Sequence, residues 1–166
     1  MIVYQYIDSP VAPLLLAADD HGLRLVEFHT PRHSMARGQD WSEGDHPTLQ
    51  ASRVQLEEYF AGRRTHFDLP LAPHGTPFQK RVWHTLAGIP YGQTISYAQL
   101  AQRVNKPTAM RAVGAANGRN PLPIVLPCHR VIGKDGSLTG FGGGLPTKQF
   151  LLQLEGAWPH ADDLFA

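Results

Sequence analysis

The chain has 166 residues, 42% of them hydrophobic, which suffices for the core of one domain or of two small ones. Its single cysteine excludes an internal disulfide and points to a reducing compartment, while no run approaches the roughly 18 apolar residues of a membrane span and the first residues lack a basic-then-apolar signal pattern, so a cytoplasmic protein is expected. The net charge of +1 hides an asymmetry: residues 1–72 carry six Lys/Arg against ten Asp/Glu, whereas residues 73–156 carry nine Lys/Arg against Asp135 and Glu155 alone. A basic second half suits a polyphosphate partner, although ordinary solvated charge also gives such a count.

Met1 to Ile7 is β-branched and aromatic and predicts a strand; Pro10 and Pro13 interrupt it. Leu14 to Ala18 predicts a second strand, Asp19 to Gly22 a turn, and Leu23 to Phe28 a third strand, together a β-meander. Thr30 to Pro47 is polar; His21, His29, His33 and His46 lie in or near it, match no metal-ligand spacing, and read as surface histidines. Thr48 to Phe60 carries apolar residues at Leu49, Val54, Leu56, Tyr59 and Phe60, an amphipathic helix ended by Gly62. Leu69 to Pro77 is rich in Pro and Gly and reads as a linker.

Phe78, Val82, Trp83 and Leu86 follow helical spacing and predict core positions of a helix in a second domain. Ile89 to Gly92 is a turn. Ser96 can N-cap a helix from Tyr97 to about Arg103. Val104 to Lys106 breaks it, and Pro107 suits the first turn of another helix continuing to about Asn117. Helix, short turn and helix make a helix-turn-helix unit. Its second helix offers Arg111 among Ala109, Ala112, Gly114, Ala115 and Ala116. Small side chains admit close approach to a groove without reading bases; they equally suit packing on another helix.

Leu122 to Leu126, bounded by Pro121 and Pro127, predicts a short buried strand that delivers Cys128 into a non-repetitive turn. Neighbouring residues on a straight strand point to opposite faces, so His129 reaches the Cys128 sulfur only through a bend or a water. A basic neighbour would raise the thiolate fraction, and the thiolate is the nucleophile. A lone cysteine by itself is as readily a buried structural residue.

The stretch PCHRVIGKDGSLTGFGGGLPTKQFLLQLEG, with TPFQKRVWHTLAGIPYGQTISYAQLAQRVNKPTAMRAVGAANGRNP upstream, resembles the O6-alkylguanine-DNA alkyltransferases over about half the chain. The resemblance implies an α/β (α+β) protein: a small ribonuclease-H-like domain over residues 1–72 and a helical winged-helix or helix-turn-helix domain over residues 73–166. It implies a stand-alone monomer of the bacterial type that flips O6-alkylguanine, or alternatively O4-alkylthymine, out of double-stranded DNA. The alkyl group then passes irreversibly to Cys128. Cys128, a water, His129 and Glu155 would form a relay that makes the thiolate, with Asn120 bracing the site. Arg111 would enter the duplex where the nucleotide leaves, and Tyr97 would turn its phosphate and protonate the departing guanine. Ser96, Lys106, Ala112, Gly114, Ala115 and Lys134 would lie against DNA, and Val131, Phe141 and Gly142 would line the base pocket. Phe141 stands where many members carry tyrosine and Gly142 where some carry serine. No cofactor or metal is expected: some relatives hold zinc or a second methyl-accepting domain, for which this chain has neither the cysteines nor the length.

The sequence leaves two rival readings. A non-catalytic sensor of alkylated DNA, or a winged-helix binding protein, would bind without transfer; such sensors replace the cysteine that is present here. A Cys-His hydrolase would leave the helix-turn-helix and the basic half without a purpose.

Overall fold

The structure is a computed structural model and describes residues 1–28, 40–138 and 140–158. β1 (Val3–Ile7), β2 (Leu14–Asp19) and β3 (Gly22–Phe28) form the expected antiparallel meander, and β4 (Ser42–Glu43) adds in parallel to β1, giving the order β3-β2-β1-β4. β2 is buried on both faces, which is why it reads as an unbroken apolar run. Leu14, Leu16 and Ala18 join the main core, while Leu15 and Ala17 pack with Leu25 under Tyr4 and Trp41.

α1 (Pro47–Phe60) covers the core face through Leu49, Leu56 and Tyr59, all fully buried. His46 caps it: its Nδ1 accepts the Thr48 N–H at 3.1 Å, so this histidine is half-buried and structural, whereas His21 is exposed. His29 and His33 lie outside the described residues. The start of the expected linker is not loose: Leu23 N–H donates to Pro70 O and Ala72 N–H to Leu23 O, both at 2.8 Å. That approach requires Gly22, with φ +144°, because a Cβ there would lie 2.5 Å from Pro70 O.

α2 (Pro77–Leu86) opens on a capping box between Thr76 and Gln79, and α3 (Tyr97–Arg103) on another between Ser96 and Gln99. α4 (Met110–Gly118) follows, and α5 (Leu145–Leu154) closes the described chain. Trp83 Nε1 donates to Ala116 O at 2.8 Å and ties α2 to α4. β5 (Ile95–Ser96) pairs in parallel with β6 (Val131–Ile132), so the start of α3 is held beside the residues that follow Cys128. The main buried cluster is shared by both halves, running from Leu14 and Val26 through Tyr59 to Val82, Leu122 and Leu151.

Two expected elements differ. Leu122 to Leu126 is not a strand but a succession of turns. Proline at positions 121, 123 and 127 removes three ladder donors, and the remaining groups are satisfied locally. Asn120 Oδ1 accepts the Leu122 N–H at 2.9 Å, and Leu126 N–H donates to Leu122 O at 2.8 Å. Ile124 adopts φ +76°, a conformation foreign to a strand and rare for a β-branched residue. The second helix begins at Met110 rather than at Pro107; Pro107 and Thr108 form a turn, and the Ala109 N–H donates to Lys106 O at 2.9 Å.

Candidate active site and nucleic-acid interface

Pro127, with φ −78° and ψ 68°, is the centre of an inverse γ-turn in which the Cys128 N–H donates to Leu126 O at 2.7 Å. Cys128 to Arg130 then form one turn of 3-10 helix, not the tail of a strand. This is the bend needed to aim Cys128 and His129 away from opposite faces. Asn120 braces the turn from behind, its Nδ2 donating to Leu126 O at 2.7 Å.

His129 is fully buried, and its Nε2 lies 2.7 Å from Glu155 Oε2. Arg130 grips the same carboxylate through Nε to Oε1 at 2.8 Å and an NH2 contact to Oε2 at 3.0 Å, and also donates to Ile89 O at 2.6 Å. Burial alone would raise the Glu155 carboxyl, but the hydrogen bonds from His129 and Arg130 outweigh it and hold it down to about 2. Glu155 is therefore an anion and accepts only, so Nε2 of His129 must carry the proton. Burial lowers the basicity of His129 and keeps the ring neutral. Its Nδ1 is then an acceptor, and it has no hydrogen-bond partner among the described residues. The pair thus presents one buried base beside Cys128.

Cys128 is 6% exposed and lines a cavity of about 190 Å³. Burial raises its thiol above the ordinary range, against the Asn120 side chain, the Lys148 charge and the backbone N–H groups of Cys128 and His129. The resting group is a thiol whose anion is already provided with donors. The cavity wall comes from both halves of the chain: Val26, Glu27 and Phe28 of β3, Asn117 of α4, Pro123, and the loop residues Gly140, Phe141 and Gly142. Phe141 is buried, with its ring centroid 5.5 Å from that of Phe28. A Cβ on Gly143 would come within 2.7 Å of the Phe28 ring, so the glycine lets the loop close down on β3. At Gly142 a Cβ would meet nothing within 4 Å.

Not every expected pocket residue lines this cavity. Val131 is fully buried and is not among the lining residues; its carbonyl accepts Lys148 Nζ at 2.6 Å. Tyr97 stands at the start of α3, its ring 3.6 Å from where a Gly114 Cβ would be, so α3 and α4 meet closely there. Ser96 uses its hydroxyl to accept the Gln99 N–H at 3.1 Å. α4 exposes Arg111, Ala112, Ala115 and Arg119, leaves Gly114 half-buried, and buries Val113 and Ala116. Lys106 and Lys134 are exposed. Seven of the nine cations of residues 73–156 are exposed, against Asp135 alone, so the basic balance is a surface property.

Four residues escaped the sequence reading. Lys148 is fully buried, and desolvation drives its ammonium down to about 8, against the favourable charge of the neighbouring Cys128 when that sulfur is a thiolate. Arg130 and Tyr59 complete the Glu155 cluster, and Asn117 lines the cavity with a buried Oδ1 that has no hydrogen-bond partner among the described residues. The signal for Lys148 and Arg130 was the scarcity of acids near them; nothing local marked Tyr59.

The family signature "6-O-methylguanine DNA methyltransferase, DNA binding domain" matches residues 77–157, and "6-O-methylguanine DNA methyltransferase, ribonuclease-like domain" matches residues 2–73. The chain belongs to this family, and its fold is the family's: a small sheet domain followed by a helical DNA-binding domain. Among its relatives, the methylated-DNA–protein-cysteine methyltransferase of Methanosarcina acetivorans is 49% identical over 154 residues, covering 93% of this chain and 98% of the relative. The enzyme of that name from Mycobacterium tuberculosis is 46% identical over 162 residues, covering 98% and 97%. The crystal structure of M. tuberculosis OGT in complex with DNA superimposes with a TM-score of 0.87 at 46% identity, covering 92% of each chain. The M. tuberculosis O6-methylguanine methyltransferase gives 0.85 at 44% identity over the whole of both chains. Among the described residues no helix is long and apolar enough to cross a membrane.

Proposed function

We propose that this protein repairs alkylated duplex DNA by moving the alkyl group from guanine O6 onto Cys128. One observation carries the assignment of the acceptor: the chain's only cysteine lines the cavity directly beside the buried His129–Glu155 pair. The target base is buried in the stack, so it must be extruded into the cavity. The exposed small-residue face of α4 supports close approach to the duplex, with Arg111 at its N-terminal end to fill the space the nucleotide leaves. We assign phosphate contacts to Ser96 and to the exposed Lys106 and Lys134, and extrusion, which costs a few kcal/mol, is offset by such contacts and by stacking on Phe141.

The thiol proton passes to His129 Nδ1, directly or through a water, and Glu155 stabilises the imidazolium that forms. The sulfur then attacks the alkyl carbon: an S–C bond forms, the C–O6 bond breaks, and guanine departs as an anion that takes a proton from Tyr97. Lys148 and the Cys128 and His129 backbone N–H groups hold the thiolate. The product thioether has no good leaving group, so each molecule acts once. The two separate family matches, over residues 2–73 and 77–157, support a two-part chain whose division falls close to the expected one after residue 72. A single-use thiolate needs a reducing compartment, and we place the protein in the cytoplasm as a monomer.

The test is to mix the protein with an oligonucleotide carrying one O6-methylguanine and measure intact mass. The expected result is a gain of one methyl, mapped to Cys128 and saturating at one per molecule; Cys128→Ala should bind the oligonucleotide and gain nothing. Binding by the wild type with unchanged mass would make the protein a lesion sensor, and continuous turnover would remove the single-use mechanism.

A further inference from the structure

The carboxylate of Glu155 has a donor that the relay does not account for. Tyr59, on α1 and 96 residues away in sequence, donates its hydroxyl to Glu155 Oε2 at 2.5 Å, the oxygen that also takes His129 Nε2. The tyrosine is fully buried, and Phe60, Phe67 and Tyr91 surround its ring with centroids at 5.4, 5.6 and 6.3 Å. An O–H···O⁻ contact of this length is a strong, charge-assisted hydrogen bond.

We propose that Tyr59 of the N-terminal half is a positioning residue of the thiol relay: by sharing Glu155 Oε2 with His129, it limits the basicity of that histidine and keeps Cys128 a thiol until substrate arrives. This inference rests on the function proposed above. Arg130 already fixes the carboxylate by two contacts, to Oε1 and Oε2, so the Tyr59 hydroxyl is not needed to hold it in place. What the hydroxyl changes is charge. Each donor on Oε2 withdraws negative charge from the bond to Nε2–H, and a weaker bond there stabilises the imidazolium less. The other charged or titratable groups facing the cluster are Arg130 of the 3-10 turn, Lys148 of α5, Tyr91 of the preceding turn and Cys128 itself. Tyr91 directs its hydroxyl at Leu154 O, 3.4 Å away, and its ring carries Arg130 at 5.7 Å. Tyr59 itself stays protonated, because burial and the Glu155 charge raise its hydroxyl above the ordinary value. A nucleophile that can be used only once gains from such restraint, since a standing thiolate would be lost to adventitious oxidants and electrophiles.

Because Cys128 is the only cysteine, its pH profile can be read without DNA. The rate of carboxamidomethylation by iodoacetamide, in which thiolate displaces iodide, is measured from pH 5 to 10 with the product mapped to Cys128. In Tyr59→Phe, which keeps the ring, His129 becomes more basic and the thiolate–imidazolium pair forms at lower pH. The expected result is a profile displaced by about half a unit to lower pH, an increase of about threefold at a fixed pH on the rising limb. In a Glu155→Gln background Tyr59→Phe should give no displacement, and Tyr91→Phe alone should give none. If Tyr59→Phe does not fold, wild-type protein made with 3-fluorotyrosine, whose hydroxyl is the stronger donor, must shift the other way. Profiles that coincide after normalising to free thiol, that move to higher pH, or that move equally in Tyr91→Phe overturn the inference. Methyl transfer from O6-methylguanine DNA to the same wild-type sample separates the two claims: transfer with coincident profiles removes Tyr59 alone, whereas absence of transfer removes the proposed function.

Discussion

At the scale of single residues the site is a set of opposed shifts. Cys128 is raised by burial, His129 is lowered by burial, and Glu155 is lowered to about 2 by its donors. The resting state therefore holds a neutral thiol, a neutral imidazole and an anion, and the proton moves only when the developing charges can be stabilised. Lys148 is the residue whose cost can be measured directly. Its ammonium sits at about 8 in the fold, against an ordinary 10.5, chiefly because it is desolvated. Between those values the unfolded chain binds a proton that the folded chain does not, so stability rises with pH across this window. Relative to Lys148→Met, wild-type stability should climb by about 3 kcal/mol from pH 8 to 10.5, as read from paired denaturant titrations. Parallel curves would show that Lys148 is charged throughout. The same variant should alkylate more slowly at neutral pH, because Cys128 loses the cation beside its thiolate.

At the scale of elements, the turn of residues 120–128 does what a strand could not. Asn120 makes two hydrogen bonds to the segment it precedes, one at each end, and so sets where Cys128 emerges. Asn120→Ala leaves a buried carbonyl and a buried N–H without these partners and should cost about 2–3 kcal/mol in a denaturant melt, with transfer to Cys128 slowed at least tenfold. Unchanged kinetics in a destabilised protein would confine Asn120 to folding. Helix α4 is the element proposed to meet the duplex, and Arg111 stands exposed in its first turn. Arg111→Ala should slow transfer from duplex DNA far more than transfer from free O6-methylguanine base; equal losses would deny it a part in extrusion.

At the scale of the whole molecule the two halves make one site. β3 supplies a wall of the cavity, Phe28 receives the glycine loop, and Tyr59 reaches Glu155 across the shared core. The charge asymmetry also acts at this scale. Exposed cations concentrated in the second half predict affinity for duplex DNA that falls linearly on a log–log plot against salt. Lys106→Ala should lower the magnitude of that slope by about 1 while leaving the rate constant of bound complex unchanged. A salt-independent affinity would mean that the basic face does not meet phosphate.

Much of this was legible in the sequence, because the signals were local. The meander, α1 and the helices α2 and α3 follow from apolar periodicity and, for α3, from the capping residue Ser96, signals that act over a few positions. Cys128 stood out as the lone thiol, whereas His129 and Glu155 were named as its relay through the family resemblance, with the scarcity of acids in the basic half drawing attention to Glu155. The sequence could not say that Leu122 to Leu126 would abandon the strand its apolar character suggests, since that depended on counting which backbone donors three prolines remove and on a side chain that replaces them. Nor could it place Tyr59, Lys148 or Arg130 around the relay. Spacing along the chain carries chemistry only where the partners lie within a turn or two; contacts formed across the shared core, between residues as distant as 59 and 155, exist only once the tertiary structure has closed.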